Sequence, residues 1–194
     1  MTNFKRIKEK VKKSMADEPT GHDYAHVIRV LKNAMNISKT ERAADQAVVK
    51  AAALLHDFAY SKKPIRGEHG TYGAKLVKPL LDAENFTAEQ KDKIIESIRV
   101  HNTFRFPTKK SFSIETHTLR DADRLDALGY VGIMRGVAYA TSAEKDMIKV
   151  LEEQLDYKFV TKKGRELAKP RQKVLKEFIG NVKKDLQLRR ISRN

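Results

Sequence analysis

An all-α fold is what this sequence predicts, and three observations predict it. Apolar residues recur at helical spacing through most of the chain. Only 9 Gly and 5 Pro punctuate its 194 residues. The charged residues, 34% of the chain, are dominated by Lys, Arg and Glu, whose long side chains lose little freedom in a helix. The expected architecture is one compact helical bundle with an additional C-terminal helix, and no repeat or low-complexity tract interrupts it.

Taken in order, the expected helices begin with a basic one over residues 3–16. A second, over 23–38, carries the stripe Val27, Ile28, Val30 and Leu31. The strongest periodicity is in 41–57, where Ala43, Ala44, Ala47, Val48, Ala51, Ala52, Leu54 and Leu55 share a face whose small side chains suit close packing. Further helices are expected over 69–82, 87–101, 114–128, 130–140, 143–157 and 164–188. Thr87, with Glu89 and Gln90 behind it, reads as a helix start, and Thr141 or Ser142 is placed to cap the helix carrying Glu144. In the last helix Leu167, Val174, Leu175, Phe178, Ile179, Val182 and Leu186 form a stripe that packs on the domain or on a second subunit. Residues 58–68 and 102–113 break the pattern with Pro and basic residues, and each follows a histidine-bearing helix. This divides the chain into a basic N-terminal helix (1–21), a central domain (22–140) and C-terminal helices with a basic tail (141–194).

The absence of cysteine excludes disulfides, a thiolate nucleophile and sulfur-ligated zinc, so any metal must sit on imidazole and carboxylate. No run approaches the roughly 18 apolar residues that span a bilayer, and the basic N-terminus lacks a following apolar segment. A soluble, cytoplasmic protein is the expectation, either monomer or homodimer. The net charge of +15 sits at the ends: residues 1–13 contribute +5, residues 158–194 contribute +10, and residues 14–157 balance to zero. The central domain is therefore neutral, and the basic termini are a separate feature.

Three fragments carry candidate chemistry. His56 and Asp57 end the Ala/Leu helix; adjacent residues project about 100° apart, so both reach one ion only at the edge of the buried face. Alone, the pair reads equally as a core histidine followed by a loop aspartate. His22 and His26 share a helical face as in His-x-x-x-His zinc sites, but the glutamate that such sites require after the first histidine is Asp23 here. Only His26 lies well inside the helix, and His22 is read as structural or peripheral. Asp121, Asp123 and Asp126, flanked by Leu119, Leu125 and Leu128, place carboxylates against an apolar face, where a metal or the neighbouring Arg120 and Arg124 must neutralise them.

Together these fragments, HDYAHVIRV (22–30), AAALLHDFAY (51–60), EHG (68–70), IRVHNTF (98–104), DADRLDALGYVGIMR (121–135) and YKFVTKKGRELAKPR (157–171), resemble the HD superfamily over nearly the whole chain. The resemblance is closer still to a branch of small bacterial HD-domain hydrolases. It implies a metal-binding domain over 22–140 whose ligands are His26, His56, Asp57 and Asp123, with Asp121 as runner-up for the last. It also implies metal-dependent phosphohydrolase activity on a phosphate ester or anhydride, usually of a nucleotide, and within this branch nucleoside triphosphate pyrophosphohydrolysis.

Two imidazoles and two carboxylates suit one divalent Mn, Fe, Zn, Ni or Co ion better than Mg. His69 and His101 fall where some members of the superfamily hold a second metal; phosphate contact, acid catalysis or a structural role are the alternatives. The glutamate that some members carry after the HD pair is replaced here by Phe58, Ala59 and Tyr60, which leaves Asp57 or the metal-bound hydroxide as base. Catalytic candidates are thus Asp57, His101 and His69. Lys62, Lys63 and Arg66 after the HD pair, and Arg105 after His101, are candidate substrate contacts, although loop cations are commonly just solvated. His117 fits no motif and is read as surface or capping. The rival readings are a nucleotide sensor and a nucleic-acid-binding HD scaffold using Lys183, Lys184, Arg189, Arg190 and Arg193 of the tail. Few aromatics accompany those charges to stack bases.

Overall fold

The computed structural model describes residues 3–16, 21–62, 68–102 and 112–191. Among them are ten α-helices and no strand: α1 (Phe4–Ser14), α2 (Tyr24–Ser38), α3 (Gln46–Leu55), α4 (His69–Leu76), α5 (Lys78–Asp82), α6 (Ala88–Val100), α7 (Ile114–Asp126), α8 (Gly129–Ser142), α9 (Met147–Leu155) and α10 (Lys162–Ile191). A 3-10 turn, Phe58–Lys62, follows α3. The all-α expectation holds. The chain forms two units, Met1–Asp123 and Arg124–Asn194.

In the first unit α3 is the central helix. Val48, Val49, Ala51, Ala52, Ala53, Leu54 and Leu55 are all buried on it, and α1, α2 and α6 pack around it. Capping fixes where these helices begin. Asp23 accepts from the backbone N–H of His26 at 2.8 Å, and Asp45 accepts from those of Ala47 and Val48. Thr87 and Gln90 form a reciprocal capping box on α6. The same Asp45 carboxylate receives Gln90 Nε2 at 2.8 Å, and its backbone N–H donates to the buried Glu115 at 3.0 Å, which joins α3, α6 and α7 at one end. Further along α7, Ser97 and Thr116 hydroxyls pair at 2.9 Å, and Asn33 Nδ2 donates to the Ala122 carbonyl. These bonds fix the helix that carries Asp123.

Three boundaries differ from expectation. Helix α3 starts at Gln46 rather than 41 because Asp45 is the stronger cap. The expected helix over 69–82 is two, since Pro79 cannot donate to the carbonyl that a continuous helix would present. Helix α8 runs through Thr141 and Ser142, so neither caps α9; Glu144 takes a left-handed φ of 52° and Asp146 is the cap.

In the second unit α8, α9 and α10 pack together. Gly136 permits this: a Cβ there would lie 2.6 Å from Leu151 Cδ2 and 2.9 Å from Gln154 Nε2. Helix α10 buries Ala168, Leu175 and Ile179, and Arg171 on it donates to the Leu125 carbonyl at 2.7 Å. No helix among the described residues is long and apolar enough to cross a membrane.

Candidate metal centre

Six side chains meet in the first unit: His26 from α2, His56 and Asp57 at the end of α3, His69 at the start of α4, His101 after α6, and Asp123 from α7. His26 and His56 are fully buried, Asp57 and His101 nearly so. The Nε2 atoms of His26 and His56 lie 3.2 Å apart. Asp57 Oδ2 is 3.2 Å from the first and 3.3 Å from the second. Asp123 Oδ1 stands 3.5 Å from His26 Nε2 and 4.0 Å from His56 Nε2. The other Asp57 oxygen faces a second histidine pair, 3.4 Å from His101 Nε2 and 3.7 Å from His69 Nε2, and those two nitrogens are themselves 3.2 Å apart. One carboxylate thus stands between two pairs of imidazoles.

The backbone sets which nitrogens face inward. His56 Nδ1 bonds the Ala53 carbonyl at 2.9 Å, and His101 Nδ1 bonds that of Ile98 at 2.6 Å. A carbonyl only accepts, so each Nδ1 carries a proton and each neutral ring presents its Nε2 lone pair to the centre. The result is a buried convergence of acceptors: lone pairs from imidazole and oxygens from two carboxylates. Such a set repels itself unless a proton or a cation sits within it. Among the described residues, two groups have donor atoms close enough together to share one ion: His26, His56 and Asp123; and His56, Asp57 and His101. The chemistry of this donor set fits a divalent transition metal, and the outer nitrogens of His56 and His101 are held by backbone carbonyls, as is common for metal-bound histidines.

Charge distribution follows from this geometry. Burial opposes charge on His56, but the adjacent Asp57, then Asp123 and the Ala53 carbonyl, outweigh it and hold the ring at about 9. Burial also opposes ionisation of Asp57, yet His56, His101 and His26 hold its carboxyl well below the usual range. Asp123 is lowered in the same way by His56 and His26 against its burial and against Asp57. Burial and the neighbouring His101 push His69 down to about 4, so it is neutral at pH 7.

Of the residues singled out in the sequence, the structure brings together His26, His56, Asp57, His69, His101 and Asp123. Asp121 is buried two residues before Asp123, where its charge acts on His117. His117, read as surface or capping, lies half-buried within the first turn of α7, inside the helix expected over 114–128. Lys62 ends the 3-10 turn, exposed, five residues beyond Asp57; Lys63, Arg66 and Arg105 lie outside the described residues. Two neighbours went unnoticed in the sequence. Tyr60 stacks on His22, with ring centroids 4.1 Å apart and planes 7° apart, and its hydroxyl approaches His69 Nδ1 at 3.5 Å. Asn102 Nδ2 approaches the same nitrogen at 3.4 Å. His22, read as peripheral, is therefore at the rim of the cluster, 5.9 Å from His26 by ring centroid.

Over residues 23–128, from the cap of α2 to the end of α7, the chain matches the model of the HD domain family. The chain belongs to the HD domain family. Relatives match well beyond that domain. The uncharacterized protein YpgQ of Bacillus subtilis is 31% identical over 195 residues, covering 93% of this chain and 92% of that one. The crystal structure of B. subtilis YpgQ in complex with ADP is similar with a TM-score of 0.69 at 28% identity, covering 94% of each chain. A predicted HD superfamily hydrolase from an uncultured Thermotogales bacterium gives 0.69 at 29%, over 94% of this chain and 92% of that. A Lactobacillus plantarum protein gives 0.80 over 97% and 100%, and its 23% identity speaks to the fold alone. The chain thus has the fold of HD-superfamily hydrolases, with His and Asp groups able to hold a metal.

Proposed function

We propose that the chain is a metal-dependent phosphohydrolase that cleaves a phosphate ester or anhydride of a nucleotide, with nucleoside triphosphates as leading substrates. The observation that carries this reading is the buried convergence of acceptors just described, in which His26, His56, Asp57 and Asp123 would hold one divalent Mn, Fe, Zn, Ni or Co ion. YpgQ, similar over nearly the whole chain, binds ADP in its crystal structure, which supports a nucleotide as ligand. A bound ion of this kind lowers the pKa of a coordinated water from ~16 toward ~7 and polarises a phosphoryl oxygen.

The chain's own groups supply the rest. Asp57, ionised and placed between both histidine pairs, accepts a proton at either oxygen. His101 presents its Nε2 lone pair toward the same centre, where it takes up a proton released by the attacking water and passes it to the leaving oxygen. His69, neutral at pH 7, can bond a phosphate oxygen or join His101 and Asp57 around a second cation. Lys62, with Lys63, Arg66 and Arg105, would meet the polyphosphate outside the cluster. No side chain is required as covalent nucleophile.

The test is elemental analysis of purified protein, followed by phosphate and pyrophosphate release from a nucleotide panel with Mn²⁺, Co²⁺, Ni²⁺, Mg²⁺ or none. Metal-dependent release is expected, and the product identifies the bond cut. Bound metal and nucleotide without turnover would replace the hydrolase reading with that of a nucleotide sensor, and absence of metal after reloading would remove the centre.

A further inference from the structure

The second unit carries a feature that the hydrolase reading does not use. Helix α10 has an apolar buried side, with Ala168, Leu175 and Ile179 packed, and a cationic stripe along the flank beside it. At about 100° per residue, Lys162, Arg165, Lys169, Lys173, Lys176, Lys183 and Lys184 fall within roughly a 100° arc, with Gly180 inside the same arc. All seven are exposed except where a partner sits against them: Arg165 donates to the Val160 carbonyl, Lys183 pairs with Glu152, and Lys173 lies 3.9 Å from Glu177. Lys162, Lys169, Lys176 and Lys184 have no ion pair among the described residues. Glu166 falls at the edge of the arc, at the angle of Lys184, and pairs with Lys163; Glu177 lies just beyond the arc, and Asp185 points away from it.

We propose that this stripe is a docking surface for the phosphate backbone of double-stranded nucleic acid, read without regard to sequence. The stripe runs about 33 Å at 1.5 Å per residue, close to the ~34 Å turn of a duplex. Seven like charges held along one helix, which continues through Pro170, repel each other, and a polyanion of matching length relieves that repulsion and releases its own counterions. The chemistry favours a duplex over a single strand because no aromatic side chain lies on the arc to stack an unpaired base. It disfavours a bilayer because the exposed apolar residues of α10, Phe178 and Leu186, lie outside the arc, so an anionic membrane facing the stripe would receive no apolar side chain. Neither point depends on the metal centre, so the surface stands or falls separately from the hydrolase.

The experiment uses the full chain and a labelled duplex of about 20 base pairs, followed by anisotropy between about 50 and about 200 mM salt. Wild type is expected to bind with a steep negative dependence of log K on log salt. The variant K169Q/K173Q/K176Q should lose at least about tenfold in affinity at intermediate salt and flatten the slope by about 2.7, at ~0.9 for each phosphate contact removed. K169R/K173R/K176R should bind as wild type does, and all three proteins should show the same thermal melt and nucleotide turnover. A triple Gln variant that keeps the slope would overturn the proposal. So would loss of binding confined to R189Q/R190Q/R193Q, or tighter binding to phosphatidylserine-containing vesicles or to the single strand than to the duplex.

Discussion

His56 and His69 are 13 positions apart and are driven in opposite directions by one cluster. His56 is held near 9 by Asp57 and Asp123 against its burial, and His69 is pushed to about 4 by burial and His101. Against an ordinary value of about 6.5, the raised ring stabilises the metal-free fold fully below pH ~6.5 and loses that contribution as pH rises through 9. The lowered ring is neutral in the fold and would protonate on unfolding, so its penalty grows as pH falls from ~6.5 to 4. Chelator-treated protein is therefore expected to melt highest near pH 6.5 and to lose stability on both sides; a flat profile from pH 5 to 9 would contradict the assignment. Metal requires the neutral ring, so loading at pH 7.5 should release about one proton, measurable by calorimetry in buffers of differing ionisation enthalpy. His56→Ala and Asp57→Ala should each abolish metal retention and turnover while leaving the helical circular dichroism in place. Asp123→Asn should reduce bound metal more than Asp121→Asn, because the Asp123 carboxylate lies against the Nε2 atoms of His26 and His56.

At the scale of the element, the pairing of α4 with α6 decides whether His69 and His101 meet. A Cβ on Gly70 would lie 2.6 Å from Asn102 Oδ1 and 2.8 Å from the Arg99 carbonyl. Gly70→Ala must therefore move α4 away, with an expected cost of about 1–3 kcal/mol in thermal or denaturant unfolding and a loss of turnover beyond what the melt explains. The sequence carried the helices that depend on their own pattern: α3 from its alanine face, α6 from its capping box, α10 from its stripe. It also carried the six cluster residues, because metal-type side chains stand out against apolar helices. What it could not carry was contact geometry. Tyr60 joins the rim only because a 3-10 turn folds it back after Asp57, and the constraint on Gly70 lies in the backbone of another helix. Asp146 outcompeted Thr141 and Ser142 as a cap because α8 ran on through both. For substrate, Lys62→Ala combined with Lys63→Ala should raise KM with little change in bound metal, and an unaltered KM would remove that segment from the site.

For the whole molecule, a ligand that binds only the folded state stabilises it by about 2.7 kcal/mol at 100 times its Kd. The unit that carries the cluster should therefore gain several degrees in Tm on metal loading, with added amide protection concentrated in α2, α3, α4, α6 and α7. Asp57 gives that loading an order. It serves two histidine pairs with one negative charge, while Asp123 sits on the side of His26 and His56 alone. The first ion to enter on that side takes most of the available anion and leaves His69 and His101 facing a carboxylate already neutralised. Titration should then show a tight first equivalent and a second that is weaker by orders of magnitude, so that the population of singly and doubly loaded protein follows the free metal concentration around it and turnover reports which form is the working one.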